Sequence, residues 1–410
     1  MNLFCTRFER ASAAMHTLSV TFWVTFALLT TEVHAAPFVP ASDLTILERL
    51  STTPGESARL NQSTRAMRAT LARDPKNVDL AVRMAQLYVS RSRSESDPRL
   101  LGQAQAALGA WWSQAEPPVP VLLLRATIRQ SLHDFSNALR DLDQAVRREP
   151  GNAQAWLTLA TVQQVTGNLA GAADSCRKVA PLAPPLIGIT CLASIDGSQG
   201  RAAKAYDALN NAMVASGATG RDSGGVRGWA LTLQAELAER LARPAEAERL
   251  YLASLAIDPT DAYTVAAYAD FLIDAGRAAD VLKLIPADTR GDVLLLRRAI
   301  AAKLAGAVDA AQLAQELGQR FNASRARGDR VHLREEARFE LAVKSDPNNS
   351  LVLARDNWGV QKEPLDARIA LEAAIAARQP KAVADVLAWI ESTQLQGEKL
   401  AQLAAQLKAQ

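Results

Sequence analysis

The sequence predicts an all-α protein in which antiparallel helix hairpins stack one after another as an α-solenoid. Hydrophobic residues make up 49% of the 410 residues, which is enough apolar surface for a buried core. Alanine and leucine dominate while aromatic residues reach only 5%, and this composition favours helices over strands. A pattern of small and large residues also recurs through the middle of the chain, mostly at intervals of about 34 positions. Such a period indicates a repeat architecture.

The N-terminus has the pattern of an export signal. An apolar run of 13 residues, 18–30, lies behind two arginines, and Val33 and Ala35 supply small side chains before a cleavage point after Ala35 or Ala36. The run is too short to cross a bilayer as a helix. We therefore expect residues 1–35 to be a signal peptide and the mature protein to be periplasmic, without an integral membrane segment. An uncleaved membrane anchor is the alternative.

The charge balance argues against a nucleic-acid partner. There are 46 basic and 43 acidic residues, a formal charge of +3, and no polybasic run. The signal segment holds two basic and two acidic residues, so the mature chain keeps the same +3. A charge this small over such a length creates no field that would attract a polyanion.

The clearest repeat runs from Ala153 to Pro184. Its pattern-defining residues are Trp156, Leu159, Ala160, Gly167, Ala172, Cys176 and Pro184, at positions 4, 7, 8, 15, 20, 24 and 32. Small residues at positions 8 and 20 allow two helices to approach closely, large residues at 4, 7 and 24 fill the gap, and proline ends the second helix. Units with matching slots begin at Val119, near Leu186, at Gly228 and at Ala262.

These five units, residues 119–286, resemble the tetratricopeptide repeat in both period and slots. The resemblance implies a right-handed superhelix of helix hairpins that acts as a recognition scaffold. Upstream, residues 36–118 contain one stretched repeat of this kind. Downstream, residues 287–410 contain degenerate repeats, and the last predicted helix, 396–408, caps the array.

The resemblance also implies where a partner binds, because the family lines its concave groove with first-helix positions 2, 5, 9 and 12. The candidate contact residues are Gln154, Thr161, Gln164, Trp229, Glu236, Glu239, Tyr263 and Asp270. They are polar in the earlier unit and acidic with aromatic rings in the later ones, a surface suited to a basic or amine-bearing protein segment. The alternative is that they are ordinary solvated helix residues. Some family members bind the C-terminal carboxylate of a chaperone peptide with lysine and asparagine at positions 5 and 9. These units have neither residue at those positions, so binding of a chaperone C-terminus is not expected.

Catalytic or metal-binding arrangements are not evident, and we expect neither enzyme activity nor a cofactor. After the signal segment the only histidines are His133, interpreted as a solvated turn residue, and His332. His332, Glu335 and Glu336 have the spacing of one helix face, but arginines flank them, which favours an ion-paired helix over a metal site.

Two short motifs are better explained as connections than as sites. Asp222-Ser223-Gly224-Gly225 matches part of the sequence around the nucleophile of trypsin-like proteases. That chemistry requires a histidine base and a buried aspartate on a β-barrel, whereas this tetrapeptide lies between predicted helical hairpins. We interpret it as a glycine-rich linker. Arg327-Gly328-Asp329 is interpreted as a turn before a helix rather than as an adhesion tripeptide.

A disulfide is predicted between Cys176 and Cys191, the two cysteines that remain after the signal segment. Cys176 precedes the end of one predicted helix, near Ala180, by about four residues, and Cys191 follows the start of the next, near Ile187, by about four. At about 1.5 Å of rise per residue both sulfurs lie about 6 Å from the connecting loop, level across the helix pair. Two buried thiols are the alternative, because position 24 is a core slot.

Together these patterns and the family resemblance predict an exported adaptor or assembly factor. The resemblance, with an alanine- and arginine-rich composition, implies the envelope of a Gram-negative bacterium. Two alternatives remain open. One is an accessory factor of polysaccharide secretion or outer-membrane assembly, and the other is a hydrolase whose site is hidden in the C-terminal third.

Overall fold

The computed structural model describes residues 56–94, 99–217, 224–329 and 331–409, with side chains described from Thr64 onward. All of them belong to one compact unit, Phe38–Gln410. Helices are the only regular structure in these ranges, so the predicted all-α class is confirmed. The predicted signal peptide, residues 1–35, lies outside the described residues.

The described chain contains 21 α-helices. They are α1 Glu56–Arg73, α2 Val78–Ser94, α3 Arg99–Ala107, α4 Gly109–Trp112, α5 Val119–Ser131, α6 Phe135–Arg148, α7 Ala153–Val165, α8 Leu169–Val179, α9 Pro185–Gly197, α10 Ala202–Gly217, α11 Gly224–Arg240, α12 Pro244–Ile257, α13 Ala262–Asp274, α14 Ala278–Leu284, α15 Asp292–Ala305, α16 Ala310–Ala326, α17 Leu333–Phe339, α18 Pro347–Val360, α19 Pro364–Ala376, α20 Ala384–Thr393 and α21 Glu398–Lys408. A π-helical turn, Glu340–Lys344, continues α17, and a 3-10 turn, Pro380–Val383, precedes α20.

Successive helices pack as hairpins, from α5–α6 through α13–α14, and small residues let them approach. The residues at positions 8 and 20 of the five units are at most 3% exposed: Ala126, Ala160, Ala193, Ala235, Ala269, Ala138, Ala172, Ala205, Ala247 and Val281. Larger apolar side chains fill the space between hairpins, as Leu159 and Leu237 do. Each hairpin therefore shares its core with its neighbours, as a solenoid requires.

The hairpin turns share one backbone feature. Position 15 of every unit has a positive φ: +57° at His133, +84° at Gly167, +72° at Gly200, +55° at Ala242 and +73° at Gly276. This left-handed conformation is open to glycine and strained for other residues. The turn geometry therefore persists in the two units whose sequence lacks the glycine.

The predicted disulfide is present. Cys176 in α8 is bonded to Cys191 in α9 across 15 positions of sequence, and their Cα atoms are 5.6 Å apart. Both side chains are buried, at 0% and 5% exposure. The bond covalently joins two consecutive hairpins.

Further contacts join hairpins that are distant in sequence. The backbone N–H of Lys362, between α18 and α19, donates to the carbonyl of Val165 at 2.7 Å. The N–H of Ala202 donates to the side-chain oxygen of Gln396 at 3.0 Å, across 194 positions. Two successive turns of the N-terminal repeats thus meet two successive turns of the C-terminal repeats in the same register. The C-terminal repeats consequently lie along the turn edge of α7–α10, beyond the nearest-neighbour contacts of a simple solenoid.

Candidate binding cleft between the repeats

A cleft of about 630 Å³ lies between helices α2, α5 and α7 and the connection from α12 to α13. We call it the inner cleft. Val89, Leu123 and Leu124 give it apolar surface, and Gln154 and Thr158 give it polar groups. This volume and this mixture are typical of pockets that hold a ligand or several residues of a peptide.

Fixed charges also line the inner cleft. Asp258 accepts hydrogen bonds from the backbone N–H and the hydroxyl of Thr260, at 2.9 and 2.8 Å, and these bonds lower its pKa. Asp261 caps α13 and accepts from the hydroxyl of Thr264 at 2.5 Å. Arg93, an exposed residue of α2, brings the opposite charge. Two carboxylates against one guanidinium favour a ligand with net positive charge.

The three polar residues predicted to contact a partner lie in different settings. Gln154 is exposed, lines the inner cleft, and donates from its amide to the hydroxyl of Thr158 at 3.1 Å. Thr161 is exposed on the same helix. The Gln164 amide donates to the hydroxyl of Ser194, on the neighbouring hairpin, at 2.9 Å. The structure therefore brings only Gln154 of these three to the cleft.

Of the two aromatic candidates, Tyr263 lies next to an acidic one. Tyr263 follows Ala262, a residue of the cleft wall, and its hydroxyl donates to Glu236 at 2.6 Å while the side chain stays 64% exposed. Trp229, in α11, is 37% exposed. The Tyr263 ring thus offers an accessible flat surface beside a carboxylate, and the Trp229 ring is partly accessible on α11.

Burial changes the acidity of the two glutamates. It raises the pKa of Glu236, against the opposing effects of the Arg240 charge and the Tyr263 hydrogen bond. Burial likewise raises the pKa of Glu239 to about 7, against the hydrogen bond that the Tyr251 hydroxyl donates to it. Near neutral pH, Glu239 is therefore divided between its neutral and charged forms.

Asp270 is already paired within the chain. Arg297 of α15 and Arg338 of α17 approach its carboxylate at 2.7 and 2.6 Å, and their charges lower its pKa although burial acts in the opposite direction. Close by, Arg368 of α19 donates to Asp274 at 2.5 Å. The sequence alone does not identify these arginines as partners, because they come from later repeats, in positions that no local pattern connects to α13.

The histidine-containing segments are structural. His133 is half-buried and stacks on Phe135 at a ring distance of 5.3 Å, and burial lowers its pKa. Its interpretation as a solvated residue was wrong, because the α5–α6 turn faces the charged groups of α17 and Asp366. His332 is the N-cap of α17, and the buried Glu336 pairs with Arg325. Over the described ranges, no cluster of three or more histidine, cysteine, aspartate or glutamate side chains could hold a metal ion.

The described residues of the two short motifs do not line the inner cleft. Asp222 and Ser223 are outside the described residues, whereas Gly224 and Gly225 begin α11. The assignment of these two glycines to a linker was wrong. Glycine is tolerated at the start of a helix, because the first-turn N–H groups have no partner within the helix whichever residue carries them. Arg327-Gly328-Asp329 forms a turn in which the Arg327 and Asp329 side chains pair at 3.0 Å.

Comparison with protein-family models gives no match, and no curated protein matches the sequence. Solved structures do match. A tetratricopeptide repeat protein from Parabacteroides merdae is 12% identical, with 70% of this chain and 98% of that chain covered and a TM-score of 0.38. Yeast Tom70 is 10% identical, with coverage of 86% and 96% and a TM-score of 0.35. MamA is 17% identical, with coverage of 43% and 96% and a TM-score of 0.29.

The chain has the architecture of a tetratricopeptide-like helical repeat protein, because the repeat units in its sequence, most of them about 34 residues long, coincide with helix hairpins in its structure. In the described ranges, no helix combines the length and the apolar character that a membrane crossing requires.

Proposed function

We propose that this chain is an exported scaffold that binds a protein or peptide segment in its inner cleft and serves as an adaptor or assembly factor in a Gram-negative envelope. The inner cleft is the observation that supports this proposal most directly. It is open, has both apolar and polar walls, and is framed by helices of three different repeats. Helical hairpins of this kind hold such a surface rigid, which keeps the entropic cost of binding low.

The charges favour a basic or amine-bearing partner segment. Asp258 and Asp261 would face a cation in the inner cleft, and the exposed rings of Tyr263 and Trp229 would stack on a guanidinium or cover an ammonium group. Glu236 would extend the acidic surface beyond Tyr263. Asp270 contributes less to this attraction, because Arg297 and Arg338 already neutralise it.

Export is supported by two independent features. The apolar run at 18–30 ends in small residues before a cleavage point. The Cys176–Cys191 disulfide is compatible with an oxidising compartment such as the periplasm, whereas disulfides are rare in the cytosol.

A substitution that fills the inner cleft tests the proposal. Gln154→Trp places a bulky ring at an exposed position of the cleft wall, and Gln315→Trp places the same ring at an exposed position of α16. We expect Gln154→Trp to abolish capture of the partner from a periplasmic extract, and Gln315→Trp to retain it. Equal capture by both variants would exclude the inner cleft as the binding site.

A further inference from the structure

A second groove, of about 380 Å³, lies between α10, α11 and α12. We call it the α10–α12 groove. Its floor is apolar, formed by Leu231 and Leu250, and Val214 and Ile257 stand at its rim with 71% and 38% exposure. Exposed aliphatic side chains around a concave apolar floor are typical of a surface that another molecule covers.

An amide side chain lies at the base of this groove. Gln234 of α11 lines the groove and is only 2% exposed. A glutamine amide carries both a donor and an acceptor, which is the pair of groups that a peptide backbone unit bonds.

The charges of the groove have one sign. Arg227 and Arg249 line it, and among the described residues no carboxylate does. The Arg227 guanidinium makes one long hydrogen bond, at 3.5 Å to the carbonyl of Met213, so most of its donors remain for a ligand. Arg249 pairs with Glu246 at 3.1 Å, an exposed contact that a competing carboxylate can replace.

We propose that the α10–α12 groove is a second interaction site, which takes an acidic peptide segment of a partner protein. An apolar side chain of the segment lies on Leu231 and Leu250, a backbone amide bonds to Gln234, and a carboxylate pairs with Arg227. These observations do not involve the inner cleft, so either site can be disproved without affecting the other.

Fluorescence anisotropy with defined peptides tests this site on the protein as purified from its host. The probe is a fluorescein-labelled twelve-residue peptide of alternating leucine and glutamate, and its control replaces each glutamate by lysine. We expect the acidic peptide to bind and the basic peptide not to bind at this site. Gln234→Leu and Arg227→Gln should each weaken the acidic peptide about tenfold, the effect of losing one hydrogen bond to a charged or buried group.

Controls separate binding from folding and from the inner cleft. Arg140→Gln, an exposed arginine of α6, and Gln154→Trp should leave the affinity for the acidic peptide unchanged. Gln234→Leu keeps a side chain of similar length, and a thermal midpoint close to that of the wild type shows that the variant folds. If that variant fails to fold, Val214→Glu, at the exposed rim, repels the probe instead. The proposal is overturned if the wild type does not bind the acidic peptide, or if Gln154→Trp, whose inner cleft is filled, binds the basic peptide as tightly as the acidic one. It is also overturned if the folded groove variants bind the acidic peptide as the wild type does.

Discussion

At the scale of single residues, position 15 shows how the repeat constrains the backbone. Gly167, Gly200 and Gly276 supply the left-handed turn without strain, whereas His133 and Ala242 adopt it with a Cβ atom. The sequence predicts the turns at the three glycines, since glycine favours this conformation. It does not predict the conformation of His133 or Ala242, where packing of the flanking helices overrides the local preference.

Ala242→Gly should therefore stabilise the protein by about 0.5–1 kcal/mol, because it relieves the left-handed strain at an exposed turn. Gly276→Ala is the matched reverse change. An added Cβ atom at this position meets open space, so the only cost is the backbone strain of an alanine at a φ of +73°. It should cost about 1 kcal/mol. Urea unfolding measures both, and a loss of stability in Ala242→Gly would contradict the account of these turns.

Glu239 should make stability depend on pH. Its pKa in the fold, about 7, lies above the ordinary value of 4.5, so the folded state holds the proton more tightly between these values and stability falls as the pH rises from 4.5 to 7. Glu239→Gln stays neutral and can still accept from Tyr251. We expect it to be more stable than the wild type by about 2 kcal/mol at pH 8 and nearly equal at pH 4.5.

Unfolding of Glu239→Gln at both pH values checks this expectation. Glu248→Gln is the control, and its effect on stability should have the opposite sign, a loss at pH 8. The reason is that hydrogen bonds from Arg277 and Tyr268 lower the pKa of Glu248. An equal effect of Glu239→Gln at pH 4.5 and pH 8 would contradict the raised pKa.

At the scale of helices and hairpins, local sequence was sufficient for most of the fold. Ala160 and Ala172 identify one hairpin because small residues in both helices are needed for their close approach, and both are buried as that argument requires. The disulfide was predictable for the same reason, since an antiparallel pair places Cys176 and Cys191 level with each other. The paired state of Asp270 was not predictable, because Arg297 and Arg338 reach it from other hairpins.

Removal of the disulfide by the double change Cys176→Ala and Cys191→Ala should cost about 3 kcal/mol, from the greater freedom of the unfolded chain over 15 residues. Urea unfolding of the oxidised wild type and the double variant measures the difference. Thiol titration of the unfolded, unreduced wild type gives an independent check, and two free thiols per mature chain would refute the bond.

At the scale of the whole described unit, the decisive feature is the contact between the N-terminal and C-terminal repeats. It depends on how small rotations between hairpins add up over many repeats, which no single 34-residue pattern specifies. At Gly200 a Cβ atom would lie 2.8 Å from the carbonyl oxygen of Gln394, so glycine is needed there for close approach as well as for its φ of +72°.

Gly200→Ala should accordingly cost about 2–3 kcal/mol, more than Gly276→Ala, which meets the backbone strain alone. Hydrogen exchange should locate the difference, with faster exchange at Ala202, whose N–H bonds to Gln396, in Gly200→Ala only. Equal losses in the two variants would mean that the contact between distant repeats adds nothing to stability.

Site-specific photo-crosslinking in the living host tests whether the inner cleft binds a protein segment. A photoreactive phenylalanine analogue at Gln154 lies in the cleft wall, and the same group at Gln315 lies on α16. Illumination should give one discrete protein adduct from position 154 and none from position 315. No adduct from position 154, or the same adduct from both positions, would contradict binding in the inner cleft.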